Sequence, residues 1–217
     1  MMKIALFALF VALTAAGPVA DPCCTPDQWE GIAGSIVGSV TNGKSTSAQS
    51  TTLMSYDFTD MMLASDTTTM VDGMTFKNKT IIDYNKKLMY NFNEMSGVCD
   101  VMEFDQPFQK ACVPDNAKEL GNFYYGAGDN MLQATSYMIQ QDPFTAYVSM
   151  TTTGCIPITE IAYGDLGTTA VMTTTGFVNI TPGIKDKSVF TPPSACAQAK
   201  VQDAKKSTTR GMLGLHV

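Results

Sequence analysis

The sequence predicts a mainly β fold, with antiparallel strands forming two faces or a curved half-barrel and a short helix near the C-terminus. Three observations carry this. Apolar and polar residues alternate with period two in several runs, the pattern of half-buried strands. Those runs are rich in Thr, Val and Tyr, which suit a pleated surface. Clusters of Gly, Pro, Asn and Asp separate them at short intervals and mark turns. With 217 residues, 45% apolar and only 16% charged, the chain has material for one core and reads as one domain rather than a disordered segment.

The first sixteen residues are expected to be a secretory leader. Lys3 supplies a positive start, Ile4 to Leu13 form an apolar run too short to span a bilayer, and small residues follow. Cleavage is expected after Ala16, with Ala20 as the alternative end. That leaves 17–217 as the single domain. Loss of Lys3 takes the formal net charge from −6 to −7. A mildly acidic chain with scattered lysines lacks the concentrated basic face that nucleic acid requires. No later run approaches the ~18 apolar residues of a membrane span.

Trp29, the only tryptophan, reads as a core anchor at the start of the first strand. In "LMSYDFTD", Met54, Tyr56 and Phe58 share one face while Ser55, Asp57 and Thr59 share the other. "TIIDYNKKLMYNFN" reads as a hairpin. Ile82 and Tyr84 lead into a turn at Asn85-Lys86-Lys87, and Leu88, Tyr90 and Phe92 alternate after it. "AYVSMTTT" and "AVMTTTGFVNIT" are two further strands. The helix is expected at Ala195–Lys206, capped by Ser194 after Pro192 and Pro193. The tail beyond it has no clear period, and the only histidine, His216, sits there.

Six cysteines, Cys23, Cys24, Cys99, Cys112, Cys155 and Cys196, behind a leader argue for three disulfides. A zinc site would need C-x-x-C or Cys/His spacings, and there are none. Spacing alone leaves about 15 connectivities, and forbidding the neighbour pair removes about three. Asn78-Lys79-Thr80 and Asn179-Ile180-Thr181 are sequons for N-glycosylation. Asn78 is read as lying beside a turn, and Asn179 as pointing outward from a strand.

Catalytic chemistry finds little support. His216 is terminal, every cysteine has a disulfide role, and Gly126 and Gly128 in "YYGAGDN" lack the strand and helix of a nucleotide-binding loop. Asp83, Glu94, Glu103, Asp105 and Asp165 are scattered, and no EF-hand loop is present. No enzyme is expected. What stands out is apolar: 15 Met, 11 Phe and 8 Tyr. Met is flexible and polarizable and suits varied apolar shapes, although most such residues fill cores. A curved sheet lined by them is a container for an apolar ligand.

Four motifs resemble the ependymin-related proteins. They are "PCCTPDQWEG" from Pro22 to Gly31, "LMSYDF" from Leu53 to Phe58, "GCIPITEIAYG" around Cys155, and "GIKDKSVFTPPSACAQA" from Gly183 to Ala199. They run in family order over most of the chain. The resemblance implies a secreted protein, commonly N-glycosylated and associated with calcium. Vertebrate relatives are linked to brain extracellular fluid, cell adhesion and the lysosomal lumen. It implies two stacked antiparallel sheets in a half-open barrel, similar to lipoprotein carriers of the LolA type. That fold encloses a hydrophobic pocket and tends to form a homodimer. No member is established as an enzyme.

The resemblance also pairs Cys23 with Cys155 and Cys99 with Cys196, which leaves Cys24 and Cys112 to each other. The sequence itself leaves open which of the two neighbours takes which partner. Two functions follow. In the first, the protein binds a lipid or other hydrophobic small molecule in a pocket lined by Met54, Tyr56, Phe58, Tyr90, Phe92, Tyr137 and Tyr147, with no required cofactor beyond an associated calcium. In the second, it is a matrix or cell-adhesion component acting through its outer surface.

Overall fold

Short turns with the right backbone chemistry build most of the molecule. Asn42-Gly43 and Asp72-Gly73 adopt positive φ at both residues, 51° and 77° in the first and 49° and 78° in the second. This is the I′ geometry whose twist matches that of paired strands. The first joins β1 (Gln28–Thr41) to β2 (Lys44–Asp57), and the second joins β3 (Met62–Val71) to β4 (Met74–Asp83). The structure is a computed structural model that describes residues 23–202. The expected leader and the tail with His216 lie outside the described residues.

The chain continues through β5 (Leu88–Asn93), β6 (Val98–Glu103), β7 (Lys118–Ala127), β8 (Asn130–Gln141), β9 (Phe144–Thr151), β10 (Pro157–Asp165), β11 (Thr169–Pro182) and β12 (Val201–Gln202). The strands lie in the order β12-β6-β5-β4-β3-β2-β1-β11-β10-β9-β8-β7. Every neighbouring pair is antiparallel except β12 with β6. The protein is mainly β, as the alternation requires. The strands expected in two stacked sheets are hydrogen-bonded into one. Two hairpin runs, β1–β6 and β7–β11, are sealed by the long β1–β11 ladder. The edges β12 and β7 do not meet, so the sheet is open.

Register assigns the faces. Trp29 lies opposite Tyr56, Tyr56 opposite Leu63, and Ala33 opposite Phe177. These residues share a first face and form its core with Met54, Tyr84 and Ala111. The segment 104–117 lies over them. Phe108 stacks on Tyr84 with centroids 4.0 Å apart and meets Tyr56 edge-on at 5.3 Å. A second cluster on that face joins Val113 to Ile139, Ala146, Val148 and Met150 of β8 and β9. The opposite face carries a smaller core of Ala64, Ile81 and Phe190, flanked by Tyr90, Ile184 and Val189. There the cover is a strap, residues 183–199.

The strap is not the helix expected at Ala195–Lys206. Ser194 opens a 3-10 turn, Ser194–Gln198, behind Pro193, which makes no side-chain cap. By Val201 the chain has become a strand parallel to β6, and positions from 203 on lie outside the described residues. Two constraints override the helix propensity of the Ala-rich run. Cys196 is tied to Cys99 on β6, and the backbone at Val201 pairs with Val101. An α-helix would withdraw that backbone from the sheet edge. An earlier 3-10 turn, Lys187–Phe190, is capped by Asp186.

Cys23 bonds Cys155 and Cys24 bonds Cys112. Neighbours in an extended chain point to opposite sides, which lets the two bonds diverge. Around them the backbone is zipped to the 104–117 segment. Thr25 N–H donates to the Ala111 carbonyl at 2.8 Å, and Val113 N–H donates to the Cys23 carbonyl at 2.7 Å.

Candidate functional site

The side chains expected to line one pocket fall on both faces of the sheet. Met54 and Tyr56 are core residues of the first face, 6% and 0% exposed. The Tyr56 hydroxyl accepts a hydrogen bond from the Ala111 N–H at 3.1 Å. Phe58 lies just past β2 and packs on Phe108. Tyr137 packs against the β8–β9 cluster. These four are structural. Tyr90 and Phe92 stand on the opposite face, since they pair with Ile81 and Lys79 of β4. Tyr147 is on that face too, stacked on Tyr163 at 6.3 Å. Alternation shows which residues share a face within one strand. It does not say which face of the next strand they join.

Of the seven, Tyr90 borders a groove and Met54 a second cavity. The groove has a volume of about 440 Å³ and lies between β5–β6 and the strap. Leu88, Tyr90 and Val101 form its floor, and Pro192, Pro193, Ala197, Ala199 and Val201 form its walls, with Ser194 and Cys196. Only Ser194 and the Tyr90 hydroxyl bring polar side-chain groups. The Cys99–Cys196 bond holds the strap to the floor at this point. The strap residues were legible as the motif "TPPSACAQA", but nothing in that string says that they roof a groove.

The strap is fastened at its other end by charge. Asp186 accepts from the Ser188 N–H at 2.9 Å and from its hydroxyl at 2.8 Å, and those bonds hold the carboxyl below its usual range. Lys187 pairs with Asp60, and the hydrogen bond to that carboxylate raises the ammonium pKa. Where residues 179–189 cross β1–β4, a second cavity of about 320 Å³ opens. It is lined by Glu30, Asp66, Lys79 and Lys185, by Ser55, Ser65, Asn179 and Thr181, and by Gly31, Ile32, Leu53, Met54, Ala64 and Val189.

The remaining sequence candidates are dispersed. Asp83 is held by Lys86 at 2.9 Å and Asp105 by Lys87 at 2.7 Å. Among the described residues no group of three or more His, Cys, Asp or Glu is placed to hold a metal ion. Calcium association therefore finds no support among the described residues. Asn78 is not beside a turn. It lies within β4, paired with Thr67 and Asn93, and is half-buried. Asn179 is exposed at φ 55°, near the register shift between β1 and β11. Gly126 serves the β7–β8 hairpin. At φ 91° a Cβ there would lie 2.0 Å from the Asn130 carbonyl oxygen. No helix among the described residues is long and apolar enough to cross a membrane.

Fold and site together define a disulfide-stapled, mainly β protein on one open sheet, with an apolar groove under a bonded strap. The Ependymin family model matches residues 72–196, more than half of the chain, and the chain belongs to that family. It is 25% identical over 191 residues to "Mammalian ependymin-related protein 1" of Rattus norvegicus, a match spanning 86% of this chain and 81% of the relative. It is 28% identical over 128 residues to "Ependymin-related protein 1" of Haliotis asinina. That match spans 54% of this chain and 64% of the relative, just under two thirds of its length. Among solved structures, an uncharacterized conserved protein from Thermus thermophilus superposes with a TM-score of 0.46 at 11% identity, covering 80% of this chain and 90% of the other.

Proposed function

We propose that the protein is a secreted, non-enzymatic carrier that holds a lipid or other hydrophobic small molecule in the groove beneath the strap. One observation carries this reading. The groove is of ligand size, and its lining is apolar except for one serine and one tyrosine hydroxyl. A ligand burying about 300 Å² of apolar surface there gains roughly 7 kcal/mol. Selectivity then comes from groove shape.

Secretion is supported by three disulfides and no free cysteine among the described residues, a state characteristic of oxidising compartments. Cleavage after Ala16 and glycans on Asn78 and Asn179 belong to the same proposal. Asn179 is the better-presented of the two sequons, because it is exposed.

The test uses the purified secreted protein. Organic extraction with mass spectrometry should release a bound lipid, and a fluorescent fatty acid should bind saturably. Ala197 is exposed on the strap, so Ala197→Trp fills the groove without disturbing the core. It should weaken binding about tenfold or more. Absence of both extracted lipid and saturable binding would sink the reading. Cell or collagen binding that persists in the groove-filled variant would favour the adhesion function instead.

A further inference from the structure

The 320 Å³ cavity on the strap face differs in chemistry from the groove. Four ionisable side chains line it, two acidic and two basic: Glu30, Asp66, Lys79 and Lys185. Asp66 and Lys79 stand directly opposite each other on β3 and β4. Yet no ion pair joins any two of the four, although ion pairs form elsewhere on the surface. Glu30, Asp66 and Lys79 are half-buried. Among the described residues Glu30 accepts one side-chain hydrogen bond, from the Ser55 hydroxyl at 3.5 Å. Charges withdrawn from water are ordinarily paired. Here both signs face the same cavity unpaired among the described residues, above an apolar floor that includes Ile32 and Leu53.

An isolated anion would meet the two carboxylates, and an isolated cation would meet the two ammonium groups. A ligand carrying both charges satisfies both sets, through charge-assisted hydrogen bonds that are stronger than neutral ones. The geometry points to this cavity as a binding site for a zwitterionic group. Its anionic phosphate or carboxylate would lie against Lys79 and Lys185, and its ammonium against Glu30 and Asp66. The group is either free in solution or the head of an amphiphile whose chain lies on the apolar floor. The site is separate from the groove under Pro192–Ala199, and the two stand or fall independently.

The probe is phosphocholine, titrated into the whole secreted protein and followed by NMR shifts or calorimetry. Inorganic phosphate and choline chloride are the single-charge controls, and monomeric dodecylphosphocholine is the amphiphilic arm. Phosphocholine should bind at least about tenfold tighter than either control. Lys185→Gln and Glu30→Gln should each weaken it about tenfold. Lys185 is exposed and Glu30→Gln is isosteric, so both variants should fold, as near-ultraviolet circular dichroism of Trp29 can verify. Tighter binding of dodecylphosphocholine assigns the site to an amphiphile head, and equal binding to a free zwitterion. The proposal is overturned if phosphate or choline alone binds as well as phosphocholine, or if neither substitution changes the affinity. Loss of phosphocholine binding in Ala197→Trp would also overturn it, by showing that the two cavities are one.

Discussion

Tyr56 shows how much one side chain fixes. Its ring stacks on Trp29 at 5.7 Å, and its hydroxyl satisfies the Ala111 N–H, pinning the 104–117 segment to the sheet. Tyr56→Phe keeps the ring and leaves that buried N–H without a partner, at a cost of about 1–3 kcal/mol. Urea denaturation should show the midpoint fall with an unchanged slope. An unchanged midpoint would mean that water replaces the hydroxyl. Tyr84, packed between Phe104 and Phe108, gives a pH-dependent counterpart. Burial, assisted by the nearby Tyr56, raises its pKa from 10.0 to about 12. Below pH 10 the phenol is protonated in both the folded and unfolded chains, so its contribution to stability is fully present. Between pH 10 and 12 the unfolded chain ionises first, and roughly 2–3 kcal/mol is lost before the folded phenol also titrates. Burial also raises the Tyr56 phenol, so absorbance at the phenolate band should show late-titrating tyrosines, of which Tyr84→Phe removes one, and that variant should flatten the stability loss over the window.

At the scale of elements, the strap depends on one covalent tie. Cys99 and Cys196 close a loop of 97 residues, worth about 4–5 kcal/mol in the chain-entropy model. The same bond holds the roof on the groove. A double Cys99→Ser, Cys196→Ser variant should therefore lower Tm and weaken fatty-acid binding together. Lowered Tm with intact binding would show that Val201 pairing with β6 holds the strap unaided. This element was the least legible in the sequence. The Ala-rich run after Ser194 has real helix propensity, but a distant disulfide and an edge ladder decided its conformation. Neither constraint is visible within the segment. The hairpin around Asn85-Lys86-Lys87 was legible for the opposite reason, because period-two alternation on either side of a turn acts within a few residues. The expected pocket failed at an intermediate level. Tyr56 and Tyr90 look alike in their strands, yet register sends one into the core and the other to the groove. Cysteine pairing was readable only through the family resemblance, since spacing left most connectivities open.

Across the whole molecule, polarity is distributed unlike that of a solvated sheet. On the strap face, beyond the strap itself, Ile36 and Val40 of β1, Tyr163 of β10, and Met172 and Val178 of β11 are each 44–57% exposed. Met172 lies opposite Tyr163 on one side and Gly38, between Ile36 and Val40, on the other, while Val178 lies further along β11 opposite Ile32. Between them Gly34, Gly38 and Gly176 leave open space where a Cβ would stand, so the strip is low and flat. An apolar patch of this kind on an antiparallel sheet is suited to packing face to face with another sheet. A second copy of the chain presents a matching strip, and closed symmetric pairs are the commonest assemblies. The homodimer implied by the family resemblance would use this strip rather than the groove or the 320 Å³ cavity. Ile36→Lys combined with Val178→Lys changes two exposed positions and touches neither core. Light scattering coupled to size-exclusion chromatography should find the parent chain at twice its monomer mass and the variant at monomer mass, with the concentration dependence of the parent's Tm lost in the variant. A parent chain that runs as a monomer at high concentration would refute the placement. A variant that remains dimeric would move the interface elsewhere, with the unpaired edge of β7 the next surface to examine.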